Sequence, residues 1–175
     1  TEGEIARILA VCKNSREQAF LAILIYTGLR NKELCKLQTN DIDISNQSLR
    51  VIDGKGGKDR IVYFTSECGQ IFSEYKMEYK PNGIMFTTLV LHRPYNGWAL
   101  RKMVKVVAKR AGIKKRVYPH LFRHSLACNL LNRGANIMTI QALLGHSDIR
   151  TTMIYVHSSP QRIRQEYLFY NPSYL

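Results

Sequence analysis

Acidic residues are the scarce class in this chain: 13 Asp and Glu stand against 26 Lys and Arg over 175 residues, a formal net charge of +13. That imbalance points to a polyanionic partner. No amphipathic membrane anchor stands out, so nucleic acid leads the candidates; a basic surface without a partner is the plain alternative. Long apolar runs are also lacking. The stretch over residues 21–26 falls far short of the roughly 20 residues that a membrane span needs. The first residues show no basic segment followed by an apolar one, so no secretory signal is expected. Cysteine is sparse and dispersed: Cys12, Cys35, Cys68 and Cys128 form no Cys-x-x-Cys pair. This argues against a disulfide framework or a zinc site and favours a reducing compartment. The four thiols are expected to serve as small core hydrophobes. Repeats and low-complexity tracts are missing too. What remains, 45% apolar and 22% charged residues, suits a single well-buried domain and argues against disorder. The chain begins without methionine and is expected to be part of a longer protein.

Periodicity predicts a mainly helical fold. Thr1 and Glu4 make a capping box ahead of Ile5, Ile8, Leu9 and Cys12 at helical spacing. A second helix is expected over residues 15–26, ending near Gly28, and a short third over 31–37. The pattern then changes to period two. Leu49, Val51 and Asp53, then Arg60, Val62 and Phe64, alternate about the turn Gly54-Lys55-Gly56-Gly57-Lys58. That reads as a β-hairpin, with a third strand near residues 42–44. Further helices are expected from Cys68 to Tyr79, through Leu100 to Ala111, from Pro119 to about Asn132, and through Ile137 to Leu144. Short ones should follow at 151–155 and 161–168. The fold class is α+β, mainly α with one small antiparallel sheet.

Four separate segments carry the functional signal, and a fifth completes it. In order they are Thr27-Gly28-Leu29-Arg30-Asn31-Lys32-Glu33-Leu34, Gly54-Lys55-Gly56-Gly57-Lys58-Asp59-Arg60, His120-Leu121-Phe122-Arg123-His124, Leu143-Leu144-Gly145-His146 and Thr151-Thr152-Met153-Ile154-Tyr155-Val156-His157. Each alone has an ordinary reading as a helix cap, an exposed turn or a surface histidine. Together, in this order, they resemble the catalytic domain of the tyrosine recombinases, which include phage integrases, chromosome-dimer resolvases and transposon integrases. The resemblance covers nearly the whole chain, from residue 1 to about 168. It implies the DNA breaking-rejoining catalytic fold, strand cleavage, and a covalent 3′-phosphotyrosine.

The resemblance assigns roles that the chemistry supports. Substitution at a phosphodiester gathers negative charge on non-bridging oxygens, and fixed donors aimed there stabilise the transition state. Arg30 and Arg123 match the two arginines, whose planar forks suit phosphate, and His146 matches a third donor. Tyr155 matches the nucleophile, a phenol with an ordinary pKa near 10 that needs a base and positive surroundings. His120 matches that base, one helical turn before Arg123. Lys55 matches the general acid for the leaving 5′-oxygen; Lys58 shares the hairpin, and the match favours Lys55. Glu33 matches an accessory carboxylate that orients the cations, with an ordinary exposed helix glutamate as the competing reading. Lys58 and Arg60 are expected to contact DNA.

The implied transesterification conserves bond energy in the phosphotyrosine, so neither ATP, a metal nor another cofactor is expected. The implied partners are double-stranded DNA and other recombinase protomers, in a tetramer on synapsed DNA, with no membrane. The apolar tail over residues 160–175 is expected to pack on a neighbouring protomer. The family usually carries a helical DNA-binding domain ahead of the catalytic one; it is expected to precede this chain. The expected location is cytoplasmic, with the nucleoid. A nicking-resealing topoisomerase of the related type and a non-catalytic DNA-binding relative are the competing functions.

Overall fold

Residues 19–25 are all buried, which makes helix α2 (Ser15–Thr27) the centre of the fold. A helix apolar on every side must be enclosed on every side. In the computed structural model, which describes residues 1–52, 59–88 and 93–145, the enclosing elements are mainly helices, with a strand at residues 60–63. Three of them, α1 (Glu2–Ala10), α4 (Ser66–Tyr79) and α6 (Pro119–Asn132), pack against α2. Burying each Leu, Ile or Phe of α2 stabilises the fold by roughly 1.5–3 kcal/mol. The remaining helices, α3 (Asn31–Lys36), α5 (Gly97–Arg110) and α7 (Ile137–Leu144), sit around this core; α3 packs on α5, and α7 on α6.

Local chemistry sets the ends of these helices. Thr1 caps α1 in the expected box with Glu4, and the Asn14 side chain accepts from Glu17 N at 2.9 Å ahead of α2. The caps at the far ends of α2 and α7 are Gly28 and Gly145, both left-handed. The helix start at Pro119 uses proline where no amide donor is needed. A 3-10 turn at Thr39–Asp41, which periodicity did not signal, leads into the sheet.

Among the described residues the sheet has three antiparallel strands in chain order, β1 (Ile42–Asp43), β2 (Ser48–Val51) and β3 (Arg60–Tyr63). Register places Leu49 opposite Val62 and Val51 opposite Arg60. Leu49, Val51 and Val62 are buried, while Arg50, Ile61 and Tyr63 face solvent. Arg60 therefore shares the inward face, and α7 packs across β3 on that side. The hairpin tip carrying Lys55 and Lys58, and the expected helices at 151–155 and 161–168, lie outside the described residues. No helix among the described residues is long and apolar enough to cross a membrane.

Candidate active site

Glu33 sits on α3, where the residue is buried and its side chain is only 5% exposed. A carboxylate in such a place needs compensation. Four donors supply it. Arg30 N donates to Oε2 at 2.7 Å and Arg30 Nη1 to Oε1 at 2.8 Å. Arg60 Nη1 donates to Oε1 and Nη2 to Oε2, both at 2.9 Å. Burial works against ionisation of Glu33, but the hydrogen bonds from Arg60 and Arg30 outweigh it and hold its pKa down to about 2. Glu33 is thus a buried, ionised hub rather than an exposed helix glutamate.

Three guanidiniums converge on one helix end. The last carbonyls of an α-helix have no partner within the helix and carry the negative end of its dipole. At α7, Arg60 Nε donates to Leu143 O at 3.0 Å and Arg30 Nη2 to Gly145 O at 2.7 Å. Between them, Arg123 Nη2 donates to Leu144 O. Arg123 also donates from Nη1 to Gly28 O at 2.8 Å, and the residue is 1% exposed. Three consecutive carbonyls thereby fix three cations brought from α6, β3 and the entrance to α3. Gly28 makes the approach feasible. Its φ is +61°, and a Cβ there would lie 2.9 Å from Leu144 Cδ2 and 3.1 Å from Leu126 Cδ2.

His120 occupies the first turn of α6, one turn before Arg123. Its pKa lies below the ordinary 6.5: partial burial disfavours the charged ring, and the positive charges of Arg123 and Arg30, with His124, push the same way. The imidazole is accordingly neutral near pH 7, the form that accepts a proton. His124 lies one turn further along α6, with Cys128 Sγ 3.7 Å from its Nε2.

Of the residues singled out from the sequence, Arg30, Glu33 and Arg123 are brought together at the end of α7, with His120 close enough to feel both cations. Lys55, Lys58, His146 and Tyr155 lie outside the described residues. Arg60 is placed differently from the expected DNA-facing surface. Its side chain is 9% exposed, and all three of its nitrogens donate inward, to Glu33 and Leu143 O. The physical reason is strand parity: Arg60 alternates in phase with Val62 and Phe64, so it points inward with them. The gathering of arginines on the α7 carbonyls had no sequence signal, because main-chain acceptors carry no residue identity.

The phage integrase family model matches residues 1–162 of the chain. A tyrosine recombinase XerA of Saccharolobus solfataricus is 37% identical over 171 residues, covering 95% of this chain and 54% of the relative. Among solved structures, a XerA recombinase is 34% identical with a TM-score of 0.85, the match covering 99% of this chain and 65% of that one. The catalytic domain of bacteriophage HP1 integrase is 26% identical with a TM-score of 0.72, covering 98% of this chain and 94% of that domain. The chain spans about half the length of the curated relatives it matches.

Proposed function

The chain belongs to the phage integrase family, and from that premise we propose that it is the catalytic domain of a site-specific tyrosine recombinase. It cleaves and rejoins double-stranded DNA through a covalent 3′-phosphotyrosine. The observation that carries this reading is the convergence of Arg30 and Arg123 on adjacent carbonyls, Gly145 and Leu144, with His120 one turn before Arg123 on α6. Donors fixed before the substrate arrives need no reorganisation as charge develops.

In the proposed reaction Arg30 and Arg123 hold the non-bridging oxygens of the scissile phosphate, and His146 adds a third donor. The Tyr155 oxygen attacks phosphorus while His120 takes the phenolic proton. The bond from phosphorus to the 5′-oxygen breaks, and Lys55 protonates that oxygen. A 5′-hydroxyl from a second DNA end then reverses the steps and restores the backbone. Lys58 is proposed to contact the DNA. Two solved structures of the same fold, a XerH recombinase bound to its difH substrate and a Tn1549 transposon integrase in complex with transposon right-end DNA, support duplex DNA as the partner. Assembly as a tetramer on synapsed DNA, with residues 160–175 bridging protomers, completes the proposal, and with it we propose a cytoplasmic protein that works at the nucleoid.

The test uses a nicked suicide duplex bearing the site recovered by selection from randomised duplexes. The chain should form a covalent protein–DNA adduct on it, and Tyr155→Phe should form none. An adduct that survives that substitution removes Tyr155 as nucleophile.

A further inference from the structure

Arg60 is the one member of the arginine cluster for which the proposed chemistry has no use. It is also tied by three hydrogen bonds within the protein. Its three bonds reach two other elements: Nη1 and Nη2 grip the two oxygens of Glu33 on α3, and Nε holds Leu143 O at the end of α7. The glycine two residues on is fitted to it. A Cβ on Gly145 would stand 2.9 Å from Arg60 Cδ and 3.0 Å from its Nε, so a side chain there would push this guanidinium out of its place.

The consequence appears on Arg30. Its side chain has two anchors, Glu33 Oε1 through Nη1 and Gly145 O through Nη2. Arg60 secures both. It fixes the plane of the Glu33 carboxylate by a two-point grip, and it fixes the terminal turn of α7 through Leu143, two residues before Gly145. Residue 146 follows directly from that turn in the sequence. A direct phosphate contact by Arg60 would require breaking a buried, doubly hydrogen-bonded ion pair.

We propose that Arg60 is a positioning residue for DNA strand cleavage, acting through Glu33 and the end of α7 to aim the Arg30 guanidinium, and that it makes no contact with DNA. The proposal rests on the strand-cleavage reading above. A loosened Arg30 loses aim more than it loses charge, and misplacement of about 1 Å is enough to slow a reaction about 100-fold. Lysine keeps the charge at position 60 but presents one point instead of a fork, so it restores only part of the function.

The test measures single-turnover adduct formation on the nicked duplex for the parent, Arg60→Gln, Arg60→Lys, Glu33→Gln and the Arg60→Gln/Glu33→Gln double variant. Duplex affinity is measured alongside across a salt series, and circular dichroism at the assay temperature gives the folded fraction. Arg60→Gln should slow adduct formation roughly 10- to 100-fold, with affinity and its salt dependence kept. Arg60→Lys should fall between it and the parent. The double variant should be no slower than the slower single variant, because both changes cut the same link. A parental rate in folded Arg60→Gln overturns the proposal. So does weaker binding with a salt slope reduced by about 1, the mark of a lost phosphate contact, or rate losses that multiply in the double variant. If Arg60→Gln does not stay folded, Arg60→Lys decides, and a parental rate there refutes the geometric argument. Absence of any adduct with the parent chain is a failure of the strand-cleavage reading instead, whereas a failure of the positioning role leaves the parent's adduct intact.

Discussion

Replacing Glu33 by glutamine keeps the shape of the side chain, removes its charge and turns one of its two acceptor oxygens into an NH2 donor. The structure gives the size of the effect by two routes. In the folded protein the carboxyl is held from its ordinary 4.5 down to about 2. Because its side chain is only 5% exposed, little of that is screened by solvent, and the difference corresponds to about 3 kcal/mol at neutral pH. The second route is mutational: removing one partner of a buried ion pair costs about 3–5 kcal/mol, chiefly by stranding the other charge. Here the stranded charge is Arg60, 9% exposed. Glutamine still offers one carbonyl oxygen, which places the expected loss near the lower figure, about 3 kcal/mol.

For a domain of this size each kcal/mol moves the melting temperature by about 2–4 °C, so Glu33→Gln should melt about 6–12 °C below the parent at pH 7. The pH dependence follows from the direction of the shift. A depressed carboxyl pKa stabilises fully above the unfolded value of 4.5, and that contribution is lost as pH falls towards the folded value of about 2. The gap between parent and variant should therefore hold from pH 7 to about 5 and shrink to roughly half by pH 3. Melts followed by circular dichroism at pH 7, 5, 4 and 3 decide the matter. A gap under about 2 °C at pH 7, or one of the same size at pH 3 as at pH 7, would refute the account of Glu33 as an ionised hub.

Two further outcomes follow from the same geometry. His120, with its pKa pushed below 6.5 by burial and by Arg123 and Arg30, should be available as a base at neutral pH. The acid limb of adduct formation should then have its midpoint below 6.5 and should disappear in His120→Asn; a parental midpoint above 7 would count against that role. Gly28→Ala forces a Cβ into a left-handed position 2.9 Å from Leu144 Cδ2. It should cost about 2 kcal/mol in urea denaturation, and because Gly28 O holds Arg123 it should also slow adduct formation; an unchanged urea midpoint would show that the turn relaxes freely.

Much of the frame was legible in the sequence because the signals were local. Capping at Thr1, the glycine stops at Gly28 and Gly145, and proline at the start of α6 each act within one turn of chain, and each marks its element within a residue or two. The 3-10 turn at Thr39–Asp41 lacked such a mark. Arg60 is the instructive case. Its in-phase spacing with Val62 and Phe64 already placed it on the buried face, yet charge suggested a surface role. An arginine on an apolar face is a contradiction until its partner is known, and Glu33 lies 27 residues away in sequence. The platform of α7 carbonyls was harder still, since Arg30 reaches Gly145 across 115 residues through an acceptor every residue possesses.

The charges at this site raise a question that the Arg60–Glu33 pair answers. A phosphate-binding arginine must be held still, and the strongest available holder is a carboxylate. A carboxylate beside Arg30 alone would aim the guanidinium but cancel its charge, weakening the attraction for the developing negative charge on phosphate. Holding Arg30 with main-chain carbonyls alone would keep its charge but supply only the partial charge of a helix end. The structure combines the two. Arg60 neutralises Glu33 by a two-point grip, and the resulting pair still offers Oε1 to Arg30 Nη1 at 2.8 Å. Arg30 is clamped by a group with no net charge and so keeps its own for the substrate. On this reasoning the glutamate and the buried arginine form one device. Losing Arg60 leaves a carboxylate that neutralises the residue it was meant to steady, and losing Glu33 leaves two guanidiniums facing each other with only carbonyls between them.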